Sequence, residues 1–497
     1  MTKKELNPAI SSHIADIQRC SSASGVFDEF AKINRIPRQS KHEEQMIAYL
    51  RGVGEELGLP TVVDETGNVI IRKPATPGME DKPCVILQSH MDMVCESLHG
   101  REIDFSTDPI ETYIDGEWLC ADRTTLGADD GIGCAMELAL LRADDIEHGP
   151  LECVFTVDEE TGLTGAMGMK PGFMTGDYLI NLDSEDEGQF FISCAGGVNT
   201  TARFPFSRIS APQGFFFFEA GVKGLVGGHS GDDINKKRAN AIKLLTRFLF
   251  MQMNRMPLYL AGFDCGKAHN AIPREGTVVF AVPASMKENV KADWNVYVSD
   301  VENEYRVSEG KQELTLASAE PRYVIDAEAT KRLVLALQAV DNGIMNMCQD
   351  EELAWLVETS SNLASVHTSE NEAVVVTSQR SCVMSQLSNM AATVKSCFLL
   401  AGAEVEQGDG YPAWQPRANS HLVDVTVKTY RELFGKEPKV LGIHAGLECG
   451  LFSERYPNLD MVSMGPTLRG VHTPEERLLI PTVQMVWDHL LLILKNI

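Results

Sequence analysis

Three short apolar runs in this chain stop abruptly at a histidine or at carboxylates, and that pattern restricts the fold more than any other feature. Leu151–Gly162 reads Leu-Glu-Cys-Val-Phe-Thr-Val-Asp-Glu-Glu-Thr-Gly. Its apolar residues Cys153, Val154, Phe155 and Val157 give way to Asp158, Glu159 and Glu160 before a Thr-Gly turn. A β-rich apolar run bounded by a turn signal reads as a buried strand. Carboxylates at the mouth of such a strand are costly to desolvate unless a cation compensates them. A second run, Val85-Ile-Leu87, leads to His90 and Asp92, which share one face of an extended segment. A carboxylate there can hold the second ring nitrogen of a metal-ligating histidine. The third run starts at Tyr178 and ends at Asp183. Any one of these endings fits a solvated acidic loop. Together they point elsewhere, because the runs are far enough apart for crossovers, and open α/β sheets build their sites just outside the carboxyl ends of parallel strands. The three endings together look like one metal site.

A chain of 497 residues exceeds a single core and is expected to form two or three domains. Its 44 basic and 70 acidic residues leave a formal charge of −26, which argues against a nucleic-acid partner and against an anionic membrane surface. The start, Met1-Thr-Lys-Lys-Glu5, is polar with no signal-type apolar core behind it. No apolar stretch reaches membrane-spanning length. The 12 cysteines include no Cys-x-x-Cys pair, and Cys84, Cys153 and Cys194 lie in apolar runs. They read as reduced core residues of a cytoplasmic protein.

Along the chain, Ile10, Ile14 and Ile17, then Val26, Phe27, Phe30 and Ile33, repeat at helical spacing until Ile36-Pro37-Arg38 breaks the pattern. Ser40 with Glu43 reads as a capping box opening the next helix. Thr61–Lys73 reads as a hairpin around Thr66-Gly67-Asn68, and Asp115-Gly116 marks another. Thr125–Gly133 runs into a helical stretch, Cys134–Arg142, with Asp129 and Asp130 where that helix begins. Helix capping and metal ligation are both open to these two aspartates. The glycines here do not fit a dinucleotide fingerprint. From about residue 196 to 400, strands alternate with helices such as Ala239–Met251, and a glycine-rich loop, Lys223–Gly231, carries His229. The α/β rhythm then returns: strands at Ala403–Glu406, Lys439–His444 and Leu459–Met464, helices at Leu422–Leu433 and Pro481–Leu494, and His472 following the last strand. The organisation this suggests is an α/β catalytic domain of residues 1–195 and 401–497, interrupted by a second domain of residues 196–400.

In this order, His90-x-Asp92, Gly127-Ala-Asp-Asp130, Glu159-Glu160, Asn181-Leu-Asp183 and His472-Thr-Pro resemble the co-catalytic di-zinc exopeptidases. Within that superfamily the likeness is to the aminoacyl-histidine dipeptidases. It rests on Ile36-Pro-Arg38, Thr124-Thr-Leu-Gly-Ala-Asp129, Asp183-Ser-Glu, Cys194-Ala-Gly-Gly197, Gly227-Gly-His-Ser-Gly231, Asn270-Ala-Ile-Pro-Arg274 and His444-Ala-Gly-Leu-Glu-Cys-Gly450. The resemblance implies a mixed-sheet α/β catalytic domain carrying an inserted α+β lid. It implies two Zn2+ per chain, with Co2+ or Mn2+ as substitutes, held by His90, Asp129, Glu160, Asp183 and His472. Asp129 bridges the two ions in that scheme, His90 and Asp183 complete one shell, and Glu160 and His472 complete the other. Glu159 is the implied general base, and Asp92 orients His90. From the lid, His229 stabilises the oxyanion, Asn270 binds substrate and Arg380 takes the terminal carboxylate. The implied activity is hydrolysis of dipeptides with a free N-terminus, Xaa-His and broader, by a cytoplasmic homodimer. The insert is about double the usual lid, which leaves open whether His229 acts in its own chain or on a partner. Other readings are a tripeptidase, an aminoacylase or carboxypeptidase of the same superfamily, or an inactive metal-binding relative.

Overall fold

The computed structural model describes residues 24–349, 351–417 and 419–497, which fall into two compact units. The first ends at Ser193 and resumes as Trp414–Gly442 and Glu448–Ile497. The second comprises Cys194–Ala413 and Ile443–Leu447. The helix expected around Ile10, Ile14 and Ile17 lies outside the described residues.

In the first unit the three apolar runs become neighbouring strands. An eight-stranded mixed sheet has at its centre Leu151–Thr156, Val85–His90, Tyr178–Asn181 and Asp460–Ser463, side by side and parallel. The first two are buried along their whole length, which explains apolar runs in place of strict alternation. Burying each of their Ile, Leu, Val and Phe side chains contributes roughly 1.5–3 kcal/mol. Thr61–Val63 and Val69–Lys73 form the expected hairpin on one edge. Thr112–Asp115 and Trp118–Ala121 pair around Asp115-Gly116 in a separate four-stranded sheet. The helix Ser24–Ile33 buries Val26, Phe27, Phe30 and Ile33 completely.

The capping box is not formed. Glu43 is the N-cap of Glu44–Leu57 with no side-chain cap bond. Ser40 instead donates to Asp92 Oδ2 at 2.7 Å. Glu43 Oε1 accepts from the backbone of Lys41 and Asp158. Here long-range partners have won over a local signature.

The second unit holds a nine-stranded antiparallel sheet. Its main path runs Glu313–Ser318, Phe215–Lys223, Gly276–Pro283, Tyr259–Cys265, Val357–Thr368, Glu372–Ser381, Gly196–Pro205 and Glu404–Gln407. Glu404–Gln407 pairs with Gly196–Pro205. That pairing carries the unit on to Ala413, past the boundary near residue 400 that the sequence suggested. Helices Ala241–Met253, Lys287–Glu304, Ala327–Ala339 and Met384–Leu400 connect its strands. Among the described residues no helix is long and apolar enough to cross a membrane, and no cysteine forms a disulfide.

Candidate metal centre

Because the central strands are parallel, their carboxyl ends deliver side chains to one edge of the first unit's sheet. His90 is the last residue of its strand, Asp183 follows Asn181 by two, and Glu159 and Glu160 open a short turn of helix, Glu159–Gly162, after Thr156. Asp129 enters from the start of the helix Ala128–Arg142. Asp129 Oδ1 stands 3.0 Å from His90 Nε2, and its Oδ2 stands 3.1 Å from His472 Nε2. Asp183 Oδ1 lies 3.4 Å from His90 Nε2, and Glu160 Oε2 lies 2.9 Å from His472 Nε2. The five residues therefore form two ligand groups that share Asp129, and within each group the ligand atoms lie within 4.8 Å of one another. Asp130 turns away and accepts from the backbone N–H of Gly133. Of the two roles open to these aspartates, Asp130 takes the capping one and Asp129 faces the imidazoles.

Asp92 is fully buried, and its Oδ1 lies 3.4 Å from His90 Nδ1. It also accepts from the backbone N–H groups of Glu159 and Glu160. One carboxylate thus stands beside the His90 ring and holds the turn carrying the two glutamates. Asp158 and His472 hold left-handed backbone, with φ of 51° and 62°, a conformation that non-glycine residues adopt rarely and that clusters at functional sites.

Glu476, which the sequence reading did not single out, is 3 % exposed. Its two oxygens accept from the N–H groups of Leu126, Gly127, Ala128 and Asp129 at 2.8, 3.0, 2.8 and 3.3 Å. Burial and the nearby Asp129 charge push its carboxyl up, and these backbone donors pull it back. Arg38 is buried and donates to the carbonyls of Met91, Asp92 and Gly127, tying the His90 loop to the Asp129 loop. Glu448 is buried too, and its Oε2 accepts from Gln88 Nε2 at 2.7 Å and Thr156 Oγ1 at 2.8 Å. These partners are tens to hundreds of residues apart in the chain, so no local spacing announces them.

The residues present fit divalent cations. Burial, with Asp183, Glu160 and Glu448 nearby, holds the Glu159 carboxyl well above the usual carboxylate range. Burial likewise raises Asp183 to about 7. Glu160 Oε1 is buried with no hydrogen-bond partner. Acidic groups crowded in this way, with imidazoles between them and an oxygen left over, are relieved by a bound cation. Imidazole and carboxylate are also the donor types of catalytic zinc sites.

In the second unit, His229 Nε2 lies 3.5 Å from Arg380 Nη2, and Arg380 Nη1 donates to Tyr411 Oη at 2.8 Å. His444 Nε2 is 2.7 Å from Ser360 Oγ. Burial first, and the Arg380 charge second, push the His444 imidazole down to about 3, so it is neutral. Asn270 is exposed, and its carbonyl accepts from the N–H of Ser230, next to His229. His444 and Glu448 belong to one sequence motif but to different units.

Residues 86–496 match the model of peptidase family M20/M25/M40. The chain belongs to that family. It is 41% identical over 477 residues to the cytosol non-specific dipeptidase of Escherichia coli, covering 96% of this chain and 98% of that one. Its structure is similar to that of aminoacylhistidine dipeptidase from Vibrio alginolyticus, with a TM-score of 0.90, 42% identity, and coverage of 97% and 98% of the two chains. The aminopeptidase PepT of Bacillus cereus aligns with a TM-score of 0.56 at 17% identity, over 96% of this chain and 99% of that one, a likeness of fold alone. The M20 assignment agrees with the mixed α/β peptidase fold that the family resemblance implied, and the strand endings do gather acidic and imidazole side chains at one sheet edge.

Proposed function

We propose that this chain hydrolyses dipeptides with a free N-terminus, Xaa-His among them, using two Zn2+ per chain held by His90, Asp129, Glu160, Asp183 and His472. Co2+ or Mn2+ suits the same ligand types. The observation that carries the reading is Asp129, one carboxylate facing an imidazole through each oxygen, with one further carboxylate on each side. The relatives from E. coli and V. alginolyticus, named for dipeptidase activity, support the substrate class. The first unit is the catalytic domain in this reading and the second is the lid. A cytoplasmic location, supported by the name of the E. coli relative, and a homodimer belong to it as well.

Metal ions bound at these residues supply Lewis acidity, which lowers the pKa of water and polarises the scissile carbonyl. Glu159 sits beside ligand Glu160 on a turn fixed by Asp92. Burial holds its carboxyl above the usual carboxylate range, so it keeps an accepted proton more readily than a free glutamate does. Glu159 takes the proton from the attacking water and then gives it to the departing amine as the C–N bond breaks. Positioned proton transfer of this kind is worth about 10²–10⁴-fold. Arg380 is 6 % exposed, and its Nε is buried without a partner. Its other nitrogens face Tyr411 and His229 rather than a carboxylate. A buried guanidinium left in this state calls for an anion, and the peptide's terminal carboxylate supplies one. His229 beside it stabilises the oxyanion, and Asn270 hydrogen-bonds the substrate.

Glu159→Ala tests the assignment. The variant is expected to keep its full metal content and lose nearly all turnover. A variant that still turns over dipeptide would remove Glu159 from the mechanism.

A further inference from the structure

Two cysteines of the second unit stand sulfur against sulfur, and the proposed chemistry uses neither. Cys348 follows the strand Gly343–Met347, and Cys382 follows Glu372–Ser381. Both strands pair with Val357–Thr368, the first at Met347↔Val357 and the second at Thr359↔Ser381. Just past these pairs the Cys348 N–H donates to the Leu356 carbonyl at 2.9 Å, and the Cys382 N–H donates to the Glu358 carbonyl at 3.0 Å. The two backbones are thus anchored to carbonyls two residues apart, and an extended chain covers about 7 Å in two residues. From these anchors the side chains converge, with Cys348 Sγ 3.9 Å from Cys382 Sγ. A disulfide places its sulfurs at about 2.05 Å, so about 1.9 Å remains to be closed. Rotation about the two Cα–Cβ bonds can cover that distance.

The two thiols differ in access. Cys348 is half-buried, whereas Cys382 is 6 % exposed. Burial first, and then the neighbouring Cys348 thiol, push the Cys382 thiol up to about 12, with Glu358 adding to the rise. Cys382 is therefore protonated and shielded, and a small oxidant meets Cys348. Once Cys348 is held in a mixed disulfide, its own part of that rise is gone, and Cys382 lies beside it as the resolving thiol. The place matters as well. Arg380 precedes Cys382 by two residues on one strand, and Ser381 between them stands 2.9 Å from Thr359, oxygen to oxygen.

We propose that Cys348 and Cys382 form a reversible disulfide when the protein meets a small-molecule disulfide, fastening the end of the Arg380 strand to the end of Gly343–Met347. The Cys348 thiolate attacks one sulfur of the oxidant, glutathione disulfide for example, and expels a glutathione thiolate. Cys382 gives its proton to solvent and attacks Cys348 Sγ, which breaks the mixed disulfide and expels the second glutathione thiolate. The cysteine pair loses two electrons and the oxidant gains them. The bond joins positions 34 residues apart and so restricts the unfolded chain. None of the proposed metal ligands is a cysteine, so this bond stands or falls apart from the proposed function.

Purified wild type is equilibrated with glutathione disulfide, quenched in acid, alkylated under denaturing conditions and digested without reductant. The expected product is one pair of peptides joined through Cys348 and Cys382, about 2 Da lighter than the two free peptides together, and separated again by dithiothreitol. The thermal midpoint of the oxidised protein is expected to rise by several degrees and to return on reduction. Cys382→Ser treated in the same way is expected to keep glutathione on Cys348, because no second thiol displaces it. Treated wild type in which both cysteines are still alkylated would overturn the proposal. So would a lasting glutathione adduct on wild-type Cys348, or a link from either residue to a different cysteine. A cross-linked protein with an unchanged midpoint would overturn the fastening.

Discussion

Replacing Glu476 by Gln changes one oxygen to an amide and nothing in size, yet it is expected to be among the most damaging conservative changes near the centre. The carboxylate accepts from four consecutive backbone N–H groups, Leu126 to Asp129, at the start of the helix that presents Asp129. A negative group there is also favoured by the helix dipole. The Gln carbonyl can keep two of these donors, and its NH2 then confronts the other two. A buried donor left without a partner costs about 1–3 kcal/mol, so the two together cost about 2–6 kcal/mol. Loosening a metal ligand through its supporting group typically costs about 10–100-fold in metal affinity or activity. Glu476→Gln is therefore expected to lower the urea midpoint of the metal-free protein and weaken zinc binding at least tenfold, measured by competition with a chromogenic chelator. Wild-type metal affinity in a variant with a wild-type midpoint would refute the reasoning. A lowered midpoint with unchanged affinity would confine Glu476 to a folding role.

Arg380→Lys keeps the charge but loses the planar fork; the KM for Ala-His is expected to rise about 10–100-fold with a smaller change in kcat, and an unchanged KM would free Arg380 from substrate. His489 is buried against the Thr426 carbonyl at 2.9 Å, and burial pushes its imidazole down to about 4. Its folded pKa is below its unfolded value near 6.5, so the associated stability is complete above pH 6.5 and is lost as pH falls toward 4. Protonation across that window costs about 3 kcal/mol. His489→Gln is expected to flatten the acid side of the stability–pH curve, and an unchanged slope in denaturant titrations would count against this.

The parts of the structure legible in the sequence are those with a local signal. Val85–Leu87, Cys153–Phe155 and Leu179-Ile180 are continuous apolar runs because their strands are buried on both faces, and their polar ends mark the sheet edge. The helices at Ser24–Ile33 and Ile480–Asn496 carry the 3.6-residue period of a buried stripe. What stayed hidden depends on distance along the chain. Arg38 reaches Gly127, Glu448 reaches Gln88 and Thr156, and Glu476 reaches Leu126–Asp129. Ser40 and Glu43 matched a local motif, but Asp92 and Asp158 offered partners that the motif did not foresee. In the second unit one β-α-β-β-α-β run, Phe215–Ser318, interrupts another that begins with Gly196–Pro205 and resumes at Ala327, so no fixed period runs along the sequence.

The central claim, metal-dependent cleavage of dipeptides with a free amine, is tested most directly by hydrolysis of Ala-His by the purified protein, with and without chelator, beside N-acetyl-Ala-His. The account predicts cleavage of the free dipeptide alone, abolished by chelator and restored by added zinc. Cleavage of the acetylated compound alone, or hydrolysis of Ala-His that survives complete removal of metal, would contradict it.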